Sequence, residues 1–314
     1  MALLTATGAL AGEPTVSKTK WRDFDAYKLT DGRTEAIVVP KLGGRLVHYG
    51  KVNGPNFMWT GEPGTERGDD ALMWGGEKTY IGPHTMWGFT QPTMWPPPAV
   101  PNTSEYEATI VDGRLLRTVS PKWPAYGARV TREVSFDPSG DLIFNHSVEK
   151  VPGSLTLVAA WTIAQTAPAD AVYAPLNPES PYKNGIFWFT KPLSLDQFGA
   201  ALLTPTLLKI RPITGTVYKL AADPVKPSLV AVKDGVAFVL QAEPQKGQYP
   251  EGAPDAGMTL EIYHHPLPPP REYTELEFLS PLHRLEEGAT LTTRWSLKDL
   301  AKDAGPEEIA RLLK

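Results

Sequence analysis

Two glutamates, Glu275 and Glu277, alternate with Leu276 and Phe278. Residues two apart on a strand share a face, so this spacing sends both carboxylates to one side and the apolar pair to the other. Along the strand the carboxylates would lie roughly 6–7 Å apart, which overlaps the roughly 6.5–9.5 Å between the carboxyls of an inverting glycosidase. Side chains from one strand run parallel, however, and do not flank a bond from two sides. The pair therefore reads either as a solvated face or as the wall of a cleft.

A second concentration of chemistry lies in residues 73–101, where Trp74, Glu77, Lys78, His84, Trp87 and Trp95 occur together. Indole rings stack on the apolar C–H faces of sugars, and charged groups hold the hydroxyls. The segment as a whole reads as a binding loop, whereas any single one of its tryptophans reads better as a pin to the core. His84 is the one histidine placed for a site. His146 shares a face with Leu142, Phe144 and Val148 and reads as a core histidine, whereas His264 and His265 are neighbours that point to opposite faces and cannot chelate together. No set of metal ligands stands out, and no cofactor is expected.

The chain has 314 residues, of which 32 are proline. Proline is excluded from helix interiors and central strands, so short strands, long connections and few helices are expected. Strands are read at 35–40, 45–49, 129–136, 142–148, 155–165, 185–190, 229–241, 258–264, 273–279 and 289–297. The sequence Asp137-Pro138-Ser139-Gly140 joins the third and fourth as a hairpin. Long connections are read at 73–101, 167–183 and 245–256; loops of that length inside a compact domain usually carry function. No alternation of strand and helix points to a parallel sheet. One helix is expected at 306–313, with Pro306 in its first turn, Glu307 and Glu308 following and Arg311 near its end. Residues 1–18 are read as a flexible tail or signal remnant, and 19–314 as one domain.

Composition removes several function classes. Net charge is −4 with the signs interspersed, which is not the basic footprint of a nucleic-acid binder. Cysteine is absent, so there is no disulfide framework, thiolate metal site or cysteine nucleophile. The glycine-rich nucleotide loops, the H-E-x-x-H zinc motif and the G-x-S-x-G elbow are missing. No stretch reaches the ~18 apolar residues that span a bilayer. The small apolar run 2–11 ends in Ala9-Leu10-Ala11, like the close of a secretory signal, and points to a periplasmic or secreted protein, a cytoplasmic one being the other reading.

In order along the chain stand EAIVVPKLGGRLVHYGKVNGPNFMW ending at Trp59, GGEKTYIGP ending at Pro83, LLRTVSPKWPAYGARVTREVSF from Leu115, AWTIAQ ending at Gln165, and EIYHHPLPPPREYTELEFLSPLHRLEEGATLTTRWSL ending at Leu297. This succession resembles an uncharacterised bacterial family related to the galactose-mutarotase-like (aldose 1-epimerase-like) superfamily, over roughly residues 21–297. The resemblance implies an all-β fold, a large antiparallel β-supersandwich with a sugar cleft on one concave sheet, here with a short C-terminal helix. Aldose mutarotases open the sugar ring with a glutamate base on a late strand and a histidine acid from an N-H-x-Y-F-N-L motif. Glu277 resembles that glutamate by its place in the chain, and the resemblance puts Lys78 in the place of an arginine of the mutarotase cleft. Ala160-Trp161-Thr162-Ile163 stands where the histidine motif would be, and Asn145-His146 comes too early.

The expected function is carbohydrate binding or modification without the standard mutarotase acid–base pair. Glu277 and His84 are the candidate catalytic groups, and Lys78, Glu77, Trp87, Trp161, Tyr249 and Glu275 the candidate sugar contacts. Three alternatives stand beside it: an aldose 1-epimerase with His84 as a displaced acid, a glycoside hydrolase or polysaccharide lyase, and a non-catalytic accessory domain.

Overall fold

A computed structural model describes residues 12–61, 74–89, 97–124, 127–150, 157–190, 194–252, 255–265, 271–284 and 286–314. Its strands form two large antiparallel sheets packed face to face. The first has its strands in the order Thr15–Trp21, Phe24–Thr30, Thr34–Val39, Arg45–Lys51, Gly76–Gly82, Leu157–Thr166, Thr274–Leu279, Leu260–His264, Tyr218–Ala222 and Ile186–Trp188. The second runs Ala200–Thr204, Leu207–Ile210, Ala171–Pro175, Ser228–Lys233, Val236–Ala242, Ala289–Asp299, Leu142–Lys150, Ala128–Phe136, Leu115–Val119 and Glu107–Val111.

The core lies between the sheets. Tyr49 from the first meets Phe238 and Trp295 from the second at ring-centroid distances of 5.5 and 5.6 Å, and its hydroxyl donates to the Trp295 carbonyl at 3.1 Å. Strand alternation feeds this core directly. In Ala128–Phe136 every second residue is buried, from Ala128 through Val130, Arg132 and Val134 to Phe136. This strand pairs with Leu142–Lys150 across the expected Asp137–Gly140 turn, where Asp137 Oδ1 accepts the Ser139 and Asp141 amides at 2.9 and 3.0 Å.

His146 sits in the core, stacked on Phe144 and bonded to Thr79 Oγ1 at 2.8 Å, and burial holds its imidazole well below the usual histidine range. The C-terminal helix, Pro306–Leu312, lays Ile309 on the outer face of the second sheet, beside Leu207, Val230 and Val239.

Four expectations change. Segment 73–101 is not a structureless connection: it contains Gly76–Gly82, a central strand, then a short 3-10 turn His84–Phe89 and the four-residue helix Ala99–Asn102. All seven residues of that strand are buried, so it lacks the apolar–polar alternation of a half-exposed strand. It starts at Gly75 and Gly76, with φ of 63° and 71°, where a Cβ would lie 2.0 Å from the Trp59 carbonyl oxygen and 2.3 Å from that of Leu46.

The single strand expected at 229–241 is a hairpin. Asp234 and Gly235, with φ of 50° and 75°, turn Ser228–Lys233 into Val236–Ala242, the positive-φ pair that a two-residue hairpin requires. The connection 167–183 holds the strand Ala171–Pro175. Finally, the chain joins the first sheet at Thr15, inside the stretch expected as a tail, because Thr15–Trp21 pairs along its length with Phe24–Thr30. Residues 2–11 lie outside the described residues.

Candidate functional site

Five strands at the middle of the first sheet carry the site. Register places the side chains of their outward face in rows. One row runs Lys78, Ile163, Glu277, Glu261, Ala221; the next runs Gly76, Gln165, Glu275, Tyr263, Lys219; Tyr80 pairs with Trp161 on the other side. Intervening residues such as Thr79, Thr162, Leu276 and Ile262 turn inward to the second sheet, as a period of two demands.

A cavity of about 360 Å³ opens on this face, lined by Lys78, Tyr80, His84, Trp161, Ile163, Lys219, Tyr263, His265, Tyr273 and Glu275. A larger cavity, about 530 Å³, lies where the C-terminal helix meets the second sheet, lined mainly by residues such as Pro175, Pro178, Pro224, Val225 and Pro306. Polar groups converge in the smaller one, which makes it the candidate site.

Lys78 is 1% exposed, and its Nζ lies 3.8 Å from Glu275 Oε1 and 5.3 Å from the centre of the Tyr80 ring. Glu275 also accepts a hydrogen bond from Gln165 Nε2 at 2.8 Å. Burial is the main force on both. It pushes the Lys78 ammonium down to about 7 against the pull of Glu275, and it pushes the Glu275 carboxyl up to about 7 against the pull of Lys78, with Glu277 adding to the rise.

On the far side of the row, Lys219 Nζ lies 2.5 Å from Glu261, 3.8 Å from Glu277 and 5.2 Å from the Trp161 ring. His265 stacks on Tyr273 with centroids 4.6 Å apart, and its Nδ1 is 3.2 Å from the Tyr263 hydroxyl. Burial lowers the His265 imidazole, and His264 and Arg271 lower it further. Among the described residues no cluster of three or more His, Cys, Asp or Glu is arranged to hold a metal ion.

The structure brings together Lys78, His84, Trp161 and Glu275 on the cavity wall. Glu277 lies on the same face but beneath the wall, fully buried. Its Oε2 accepts a hydrogen bond from Trp161 Nε1 at 2.8 Å, and its Oε1 has no hydrogen-bond partner among the described residues.

Three candidates stand elsewhere. Glu77 faces between the sheets, where Arg132 Nη2 donates to its Oε2 and Thr162 Oγ1 donates to its Oε1 at 3.0 Å. Lys78 and Tyr80 face the cleft, so Glu77 must face the other way. Trp87 has no exposed surface; its Nε1 donates to the Ile81 carbonyl at 2.9 Å, and its ring backs His84 at 4.3 Å and Trp161 at 5.9 Å. Tyr249 donates to the Gln245 carbonyl at 3.0 Å and does not line the cavity. Trp74 packs on Trp21 and Phe24, away from the cleft, and Trp95 lies outside the described residues.

Sequence reasoning missed Lys219, Glu261, Tyr263, His265 and Tyr273. A period of two does group Glu261, Tyr263 and His265 on one face, and Tyr273 with Glu275 and Glu277 on another. Alternation within each strand could not show that the two faces are one.

No protein-family model matches the chain, and no curated protein matches it in sequence. Solved structures do. A galactose mutarotase-like protein from Clostridium acetobutylicum superposes with a TM-score of 0.55 at 9% identity, covering 92% of this chain and 99% of that one. An aldose epimerase homologue from C. elegans gives 0.55 at 11% identity over 86% and 97%. A galactose mutarotase related enzyme from Lactobacillus acidophilus gives 0.53 at 8% identity over 89% and 99%. The likeness is one of backbone, and the fold is a galactose-mutarotase-like β-sandwich.

Proposed function

We propose that this galactose-mutarotase-like sandwich recognises a carbohydrate in the cavity on its first sheet. One observation carries the reading: aromatic rings of Trp161, Tyr263 and Tyr273 share a cavity with the charged groups Lys78, Lys219 and Glu275. Rings offer flat apolar surface to the C–H faces of a pyranose, while charged groups offer strong partners to its hydroxyls. Titration against mono- and oligosaccharides, read by calorimetry and by tryptophan fluorescence, tests it. Saturable binding is expected for at least one sugar class, weakened at least tenfold in Lys78→Met. No saturable binding to any class removes the reading.

Ring opening of a bound aldose is the second reading, favoured by the acid–base character of the cavity wall. In the assignment carried over from sequence, Glu277 is the base and His84 the displaced acid. Polarimetry on freshly dissolved glucose and galactose decides whether the reaction occurs; a rate equal to buffer ends this reading and leaves recognition standing.

A further inference from the structure

We propose that Lys78 and Glu275 are the proton-transferring couple of the cleft, the carboxylate taking the proton of an anomeric hydroxyl while the ammonium gives one to the ring oxygen. This rests on the ring-opening reading and gives it different groups from Glu277 and His84.

The chemistry sets a geometric condition. A base removes the O1 proton, the freed electron pair forms the C1=O bond, the C1–O5 bond breaks and O5 takes a proton from an acid. Rotation about C1–C2 and the reverse transfers give the other anomer, so atoms and charge balance without an oxidant or a reductant. O1 and O5 are bonded to the same carbon, so base and acid must meet the sugar at one place.

Lys78 Nζ and Glu275 Oε1 meet that condition. Both line the cavity, and they stand 3.8 Å apart, near enough to act on neighbouring oxygens and too far to bond each other. They reach this arrangement from strands on either side of the Leu157–Thr166 strand, across Ile163.

The alternatives are placed less well. Glu277 lies below the wall, with one oxygen held by the Trp161 indole and Lys219 alongside. His84 is packed on the Trp87 ring at 4.3 Å, with the Trp161 ring at 6.1 Å. Lys219 is held close to Glu261.

The charged and titratable groups facing the couple are Arg45 and Glu77 from behind, Glu277 from the strand of Glu275, Lys219 from an outer strand, and Tyr80, His84, Tyr263, His265 and Tyr273 around the cavity. Burial within this set brings both members to about 7, where a proton donor and acceptor are most effective near neutral pH.

The test is exchange NMR between the α and β anomers of an aldose panel, run beside binding titrations of the same sugars. Wild-type protein is expected to accelerate exchange with a bell-shaped pH profile centred near neutrality. Lys78→Arg keeps the positive charge but cannot release a proton near neutral pH. It and Glu275→Gln are expected to bind the sugar within a few-fold of wild type and to lose about 100-fold or more in rate.

The sequence has no cysteine, so Lys78→Cys introduces one thiol. Aminoethylation of that thiol restores an amine of lower basicity, and the rate should return with the alkaline limb of the profile moved to lower pH. That rescue separates a lost proton donor from a misfolded variant.

Three results overturn the proposal and leave recognition standing. One is a wild-type rate in Lys78→Arg with losses confined to Glu277→Gln and His84→Ala. Another is rescue with an unmoved pH profile. The third is a wild-type protein that binds a sugar without exchanging its anomers, which removes the couple and leaves recognition intact. Absence of any sugar binding removes both.

Discussion

Glu77 and Lys78 are consecutive residues of one strand and both are buried, yet their surroundings are opposites. Glu77, between the sheets, is saturated: Arg132 and Thr162 bond its two oxygens, and Arg132 also donates to the Gly44 carbonyl. Lys78, on the outward face, has its one ion-pair partner among the described residues at 3.8 Å, with a cavity in front of it. A buried charge whose hydrogen bonds are filled holds two sheets in register. A buried charge left short of partners and facing open space keeps its chemistry available to a ligand.

The largest effect should come from breaking the saturated side. Glu77→Ala leaves Arg132 buried without its carboxylate and should lower unfolding free energy by about 3–5 kcal/mol, measured by urea denaturation. A loss below about 1 kcal/mol would put Glu77 in the class of a surface ion pair and collapse the contrast. Thr162→Val sharpens the same side. It removes one hydrogen bond to a charged oxygen and should cost about 1.5–3 kcal/mol, with sugar binding in the cleft unchanged.

The unsaturated side should show itself through pH. Glu275 is raised from 4.5 to about 7 in the folded protein, so its contribution to stability is full below pH 4.5 and is lost as pH rises through about 7. Lys78 is lowered from 10.5 to about 7, so its contribution is full above pH 10.5 and is lost as pH falls through about 7. Both losses converge near neutrality and put a shallow trough there. Urea midpoints at pH 5, 7 and 9 should reveal the trough in wild type, and the Lys78→Met/Glu275→Gln double variant should abolish it. A trough of equal depth in the double variant would assign it to other groups.

Much of the fold was legible in the residues. Proline content and alternating strands gave an all-β chain, and Asp137-Pro138-Ser139-Gly140 gave a hairpin in its observed register. The errors have physical causes. Gly76–Gly82 was read as loop because a strand buried on both faces shows no alternation, and its polar Glu77, Lys78 and Thr79 mimic a surface segment. Residues 229–241 read as one strand because two residues, Asp234 and Gly235, suffice to turn it. Outer strands such as Thr15–Trp21 and Glu107–Val111 were missed because their exposed residues dilute any apolar signal.

For the site, residue order alone pairs side chains within a strand. Glu275 stands with Glu277, and His264 opposite His265, since a period of two admits nothing else. Which face of each strand meets the second sheet and which faces the cavity is set by packing, and packing put Glu77 on one and Lys78 on the other. It also decided that Lys78 finds Glu275, almost two hundred residues away in the chain, over the intervening strand. Alternation fixes two faces per strand but carries no label for them; the label comes from sheet order, and sheet order is set by long-range packing.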